Sequence, residues 1–213
     1  GAEGVVFEQA FSPSSYTRES IAALFTARYP SRNAWGMGWY AAPDPALPGL
    51  GTLFQQAGYT TALFTLTPML EDLSFHEGFT FAECLVTDMG QAGYASSGQG
   101  PRLVERTLDF VDAQGDQPFA AYLHFLDPHG EYEPPAEFYR KFMPNPPPNP
   151  LTLYGDVRPN VPDLIASGFG PGNVHFEDMI ARYDGEIAHV DSSIAEIFEG
   201  LRERGILDNT IVL

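Results

Sequence analysis

The chain has 213 residues, 44% of them hydrophobic, enough to bury one sizeable core. Its formal net charge is -17, with ten Arg and a single Lys, Lys141, which excludes a basic surface for nucleic acid or anionic lipid. One cysteine, Cys84, excludes an internal disulfide framework and a multi-cysteine zinc site, and no apolar run approaches the roughly 20 residues that a membrane-spanning helix needs.

Taken along the chain, Val5-Val6-Phe7 is a short strand signal. The stretch Ser12-Pro-Ser-Ser-Tyr-Thr-Arg-Glu-Ser20 then crowds five Ser and Thr hydroxyls into the start of an apolar helix marked by Ile21, Leu24 and Phe25. Leu50, Leu53 and Phe54 lead a second short helix that stops at Gly58, and "YTTALFTL" reads as the strand after it. Leu103, Val104, Leu108 and Val111 predict an amphipathic helix from Arg102 to about Gln114, ending at Gly115, and "PFAAYLHFL" from Pro118 reads as a buried strand. Ile180, Tyr183, Ile187, Val190, Ile194, Ile197 and Leu201, at steps of three and four, form an apolar seam on one long helix over roughly Phe176 to Arg204. Gly205 and a last strand signal, Thr210 to Leu213, follow. Alternation of this kind implies an α/β domain with a largely parallel central sheet, whose ligands bind at the carboxyl ends of the strands. Apolar strand signals at both termini give the expectation of a fragment, cut inside its sheet at either end. The segment Met143 to Asn173 carries "PNPPPNP", "RPNVP" and "GFGPG", which speak against regular helix or central strand; it is expected to be an excursion within the single domain 1–213.

The chain holds no GxxxxGK[ST] loop, GxGxxG, GxSxG, HExxH or CxxC, which removes the familiar nucleotide, hydrolase and zinc signatures. Two places remain. At the hydroxyl-rich helix start, Thr17 and Ser20 are candidates either for capping backbone N–H groups or for chemistry. In "LHFLDPHGEYEPP", His129 follows the end of a predicted strand, where α/β enzymes keep catalytic groups and where a structural turn histidine is equally at home. His124, inside the strand, reads as a sheet or core residue. His189 lies beside the apolar seam, His76 and His175 fall in loop-like contexts, and none of these three is assigned a role.

The stretch "YTRESIAALFTARYPSRNAWG" resembles the nucleophile motif of the sulfatase family within the alkaline phosphatase superfamily. Aligning Thr26-Ala-Arg-Tyr-Pro30 with that family's T-G-R-Y-P places Thr17 at the nucleophile and Ser20 at the motif serine. "LGTLFQQAGYTTALF", "HEGFTF", "FLDPHGEYEPP" and "RYDGEIAHVDSSIAEIFEGLRERGILDNTIVL" resemble further blocks of the family in the same order. The resemblance implies a three-layer α/β sandwich of the alkaline phosphatase type, truncated at both ends, and a substrate-contacting role for His129. Position 17 is Thr where most sulfatases have the Cys or Ser that becomes formylglycine, position 21 is Ile where they have Arg, and Phe64-Thr-Leu-Thr-Pro68 replaces their Lys- and His-bearing block.

These departures make the chain similar to the threonine-nucleophile branch, which includes phosphoglycerol transferases and phosphodiesterases. Arg18 is the candidate for replacing part of the lost positive charge. The resemblance further implies one divalent cation, calcium in a sulfatase or manganese, magnesium or zinc in the phosphoryl-transfer relatives, with Thr17 among its ligands. The remaining ligands are expected upstream of Gly1 and downstream of Leu213, so the 213 residues alone are expected to be inactive. The implied partner is a small-molecule, lipid or glycan sulfate or phosphate ester, and the implied location is extracytoplasmic. Two alternatives stay open: a true sulfatase with an altered anion pocket, and a non-catalytic sulfatase-like binding domain in which Thr17 only caps its helix.

Overall fold

The computed structural model describes residues 4–32, 47–67, 70, 75–86, 99–129, 132–148, 161–166 and 168–213. Pro68, Gly130, Glu131, the motif residues 33–36 and residues 149–160 of the Pro- and Gly-rich segment lie outside the described residues. Strand β1 (Thr60–Thr65) is the middle of a three-stranded sheet, between β2 (Phe81–Cys84) and β3 (Phe119–His124). The Thr60 N–H donates to the Pro118 carbonyl at 2.9 Å and the Leu66 N–H to the His124 carbonyl at 3.0 Å, so starts pair with starts and ends with ends. The Leu85 N–H, donating to Thr65 at 2.9 Å, sets β2 in the same direction. The sheet is therefore parallel, as the alternating sequence pattern predicts. Thr61 to Thr65 of β1 are all buried, the mark of a central parallel strand. Strand β3, expected to be buried, is half-buried with Ala121 exposed, because among the described residues it has a neighbour on one side only.

The chain clusters into two compact units. The first takes residues 1–63, 68–82 and 116–121, and holds α1 (Thr17–Thr26) packed against α2 (Leu50–Gln56). Its apolar heart is Ile21, Ala22 and Phe25, with the Phe25 ring edge-on to Phe75 at 5.9 Å and tilted to Phe79 at 5.6 Å. Gly51 on α2 lies so close to the turn at Gly78 that a Cβ there would sit 2.5 Å from the Gly78 carbonyl oxygen. Gly78 itself has a φ of +85°, a conformation that L side chains rarely adopt.

The second unit takes residues 64–67, 83–115 and 122–213, and holds three helices beside the carboxyl ends of the strands: α3 (Gly100–Gln114), α4 (Ala136–Phe142) and the thirty-residue α6 (Val174–Glu203). Helix α3 buries Leu103, Val104, Thr107, Phe110 and Val111, one face at helical spacing, and Phe110 meets Phe64 edge-on at 5.7 Å. Helix α6 begins two residues before the predicted Phe176 because Asn173 caps it, its side-chain oxygen accepting from the N–H groups of His175 at 3.0 Å and Phe176 at 3.3 Å. His175 thus sits in the first helical turn, not in a loop.

An apolar seam ordinarily marks a helix's buried face. On α6 it does so only near the C-terminal end: the seam residues Ile197 and Leu201 are buried, but Ile180, Tyr183, Ile187 and Ile194 are 37–45% exposed, while Asp178, Ala181, Gly185, Glu186, His189, Ser193 and Gly200 are buried against α3 and α4. Small residues on this face let the partners approach closely, with Leu108 over Gly200 and Pro134 over Gly185.

Three further differences separate structure from sequence. Val5, Val6 and Phe7, and Thr210 to Leu213, form no strand; Val5, Val6, Phe7, Ile211 and Leu213 are at least 72% exposed, because no described segment pairs with their backbone. A short helix, α5 (Val161–Ala166), occupies part of the segment expected to lack helix, and its Pro162 sits in the first turn, where a missing N–H costs nothing. Strand β2 and helix α4 had no sequence signal strong enough to name them. Gly51→Ala gains about 1 kcal/mol of helix propensity but drives a methyl into backbone, and is expected to destabilise by about 1–3 kcal/mol, read as a lower urea midpoint.

Candidate active site

Thr17 is the first helical residue of α1; the N-cap is Tyr16, with no side-chain hydrogen bond to the helix. Neither Thr17 nor Ser20 therefore caps the helix as the sequence allowed. Ser12, Ser14 and Ser20 instead knit together. The Ser12 and Ser20 hydroxyls lie 2.9 Å apart, both donate to the Ser14 carbonyl at 2.7 and 2.8 Å, and the Ser14 hydroxyl accepts the Tyr16 N–H at 3.1 Å. Thr17 is half-buried, and no hydrogen bond among the described residues engages its hydroxyl. The local network thus engages Ser12, Ser14 and Ser20 but not Thr17, which stands at a helix N-terminus, where unsatisfied N–H groups and the helix dipole favour an anion.

Arg18 is also half-buried, and its Nη2 donates to the Glu19 carboxylate at 2.7 Å. Burial disfavours the charged form of Glu19, but the Arg18 hydrogen bond, a backbone hydrogen bond and the Arg18 charge together hold its carboxyl below the ordinary value. An incoming anion at Arg18 has to share the guanidinium with this carboxylate.

His129 belongs to the second unit, five residues beyond β3, on an exposed turn closed by its own N–H donating to the Leu126 carbonyl at 2.9 Å. Upstream, His124 ends β3 as a satisfied sheet residue, with the Tyr122 hydroxyl 3.1 Å from its Nδ1. Burial pushes His124 down to about 4 and Tyr122 up to about 12, so a neutral imidazole faces a neutral phenol. Downstream, the chain comes to rest on α6. The Glu133 N–H donates to Glu186 Oε1 at 2.7 Å, the Tyr132 ring stands edge-on to Tyr183 at 5.4 Å, and the Tyr139 hydroxyl donates to Asp178. Arg182 Nε bonds the same Asp178 at 3.0 Å. Desolvation and the Asp178 carboxylate raise Tyr139 to about 12. This polar face of α6 escaped the sequence reading; its signal was Asp178, Glu186, His189 and Ser193 at helical spacing, one stripe away from the more conspicuous apolar seam.

Among the described residues no group of three or more His, Cys, Asp or Glu side chains converges to hold a cation. Thr17 offers one oxygen, and the nearest acidic neighbour in sequence, Glu19, is engaged by Arg18. Also among the described residues, no helix is long and apolar enough to cross a membrane.

A family model described as Sulfatase matches residues 2–213. No curated protein is matched by the chain. Among solved structures, the chain is similar to the phosphonate monoester hydrolase of Agrobacterium radiobacter (TM-score 0.63, 18% identity, 93% of this chain and 52% of that one). It is also similar to BT4656 in complex with its substrate D-glucosamine-2-N,6-O-disulfate (0.64, 15%, 95% and 56%). A third similarity is to the lipoteichoic acid synthase LtaP from Listeria monocytogenes (0.58, 18%, 92% and 43%). The chain spans about half the length of these structures, and at such identities the likeness shows a shared alkaline phosphatase-like fold.

The His124 environment sets a pH dependence. Unfolded, the imidazole titrates near 6.5; folded, it is held to about 4, so the unfolded chain binds more protons between those values. Stability is expected to fall as pH drops from about 6.5 towards 4, by at most about 1.4 kcal/mol per pH unit from this group. His124→Gln should flatten that slope in urea unfolding compared at pH 7 and pH 5.

Proposed function

The chain belongs to the sulfatase family, and from that premise we propose that it carries the nucleophile and the proton-handling histidine of a hydrolase or transferase acting on sulfate or phosphate esters. The observation that carries this reading is Thr17: a half-buried hydroxyl with no hydrogen bond among the described residues, at a helix N-terminus beside which Ser12, Ser14 and Ser20 are bound to one another. Its oxygen attacks phosphorus or sulfur, forming a Thr17 ester as the bond to the leaving oxygen breaks. His129 hydrogen-bonds the substrate or delivers a proton to that oxygen, and water or an acceptor alcohol then takes the group from Thr17. Arg18 and the helix N-terminus draw the anion into a protein whose net charge of -17 repels it.

A threonine hydroxyl is hardly ionised at neutral pH and needs a base or a cation. A divalent metal, typical of the family, would supply the required acidity. The described residues do not fit one by themselves, since Thr17 is the single oxygen they offer it; the other ligands are assigned to segments outside residues 1–213. Threonine cannot become formylglycine, which favours phosphorus over sulfur. Neighbours described as a phosphonate monoester hydrolase and a lipoteichoic acid synthase support that preference, and the disulfated glucosamine bound by another keeps glycan sulfates within the substrate class.

Two tests follow from this assignment. Assayed together with the flanking metal-ligand segments, Thr17→Ala should lower turnover of bis(p-nitrophenyl) phosphate by about a thousandfold or more, and p-nitrophenyl sulfate should be the poorer substrate. Undiminished turnover in Thr17→Ala would remove it as nucleophile. Residues 1–213 on their own should give no turnover with calcium, magnesium, manganese or zinc, whereas metal-dependent turnover lost in Thr17→Ala would show that the chain supplies its own ligands.

A further inference from the structure

We infer that the turn Tyr183 to Glu186 of α6 is the seat that positions the His129 loop, with Glu186 as its positioning residue; the consequence for turnover rests on the function proposed above. Glu186 is fully buried, and its Oε1 accepts the Glu133 backbone N–H at 2.7 Å across 53 residues of sequence. An acceptor taken out of water is costly to leave unpaired, so this bond is geometrically demanding. The residue before it, Gly185, has no side chain where the loop descends: a Cβ there would lie 2.9 Å from Pro134 Cγ and 3.2 Å from the Tyr139 Cα. Tyr183 completes the seat with its ring against Tyr132. Three successive loop residues, Tyr132, Glu133 and Pro134, thus each meet a different feature of one helical turn.

His129 lies between two fixed points. On one side its N–H closes the turn onto Leu126, just past β3. On the other, Glu133 is four residues away, a reach of at most about 14 Å even when fully extended. The histidine is exposed on this short span of chain, so a shift of the loop backbone carries the imidazole with it. Displacing a proton donor by about 1 Å costs up to about a hundredfold in rate, which makes the outer anchor a matter of turnover as well as stability.

The test combines structure and rate. Glu186→Ala should speed hydrogen exchange of the Glu133 amide at least about tenfold and broaden the His129 Cε1–H resonance. Glu186→Gln, which keeps the acceptor oxygen, should restore both. Glu133→Pro deletes the donated N–H without touching the helix; it should reproduce the His129 broadening, and covers the case in which Glu186→Ala fails to fold. In turnover of bis(p-nitrophenyl) phosphate with the flanking segments present, Glu186→Ala should lower kcat about tenfold or more with KM little changed. In a His129→Ala background it should then cost nothing further. Unchanged Glu133 exchange and His129 linewidth in Glu186→Ala, or an unchanged linewidth in Glu133→Pro, would overturn the seat, and a loss that adds fully to that of His129→Ala would overturn its action through the histidine. If Thr17→Ala leaves turnover intact, the proposed function fails, while exchange and linewidth still decide the seat.

Discussion

The second unit depends on one face of α6 being small and polar where a large apolar face would be the ordinary choice. A stripe of Leu and Ile would hold α3 and α4 at ordinary interhelical distance. Gly185 and Gly200 instead let Pro134, the Tyr139 backbone and Leu108 come close, and the two carboxylates buried on this face are given partners, while His189 Nδ1 has no hydrogen bond among the described residues. Asp178 takes the Tyr139 hydroxyl and Arg182; Glu186 takes a backbone N–H. Removing one partner from such an arrangement leaves a buried charge uncompensated, so the face tolerates loss poorly even where no single contact is strong.

The first unit solves a different problem, keeping the half-buried Thr17 hydroxyl out of the hydrogen bonds among the described residues while three of the other four Ser and Thr hydroxyls of its cluster are tied up. Serine side chains at a helix start compete for nearby N–H and C=O groups, and here three of them satisfy one another and the chain just ahead of α1. Thr17 is spared because it is the first residue with helical geometry, too late to cap and too early to bond back into the helix. Capping and chemistry, rivals in the sequence, separate cleanly once the cap is assigned to Tyr16.

Much of the fold was legible because its elements follow strong local rules. Alternating helix and strand signals gave the parallel sheet, and periodic Leu103, Val104 and Val111 gave α3 nearly to its ends. What sequence could not show was set by partners distant along the chain. The buried face of α6 gives little apolar signal over most of its length, because hydrophobicity ranks Ile above Gly, while close packing ranks them the other way. Val5 to Phe7 and Thr210 to Leu213 carry strand composition, but a strand exists only as a pairing, and the described residues offer them none. β2 is four residues with three exposed, too short for an alternating signal. Of the proposed site, motif and position point to Thr17 and His129 in the sequence, whereas Glu186 became visible only when a loop came to lie against it.

That bond also orders events in time. The turn at His129 closes over three residues and can form as soon as the end of β3 exists. Its outer anchor is supplied by a helix that begins at Val174 and is not complete until Glu203. A chain emerging from its N-terminus therefore displays the histidine long before anything can hold it, and closing so distant a contact is slow compared with forming a local turn. The loop acquires its final shape only once this helix has formed, so any catalytic competence that it confers waits on residues made well after the histidine itself.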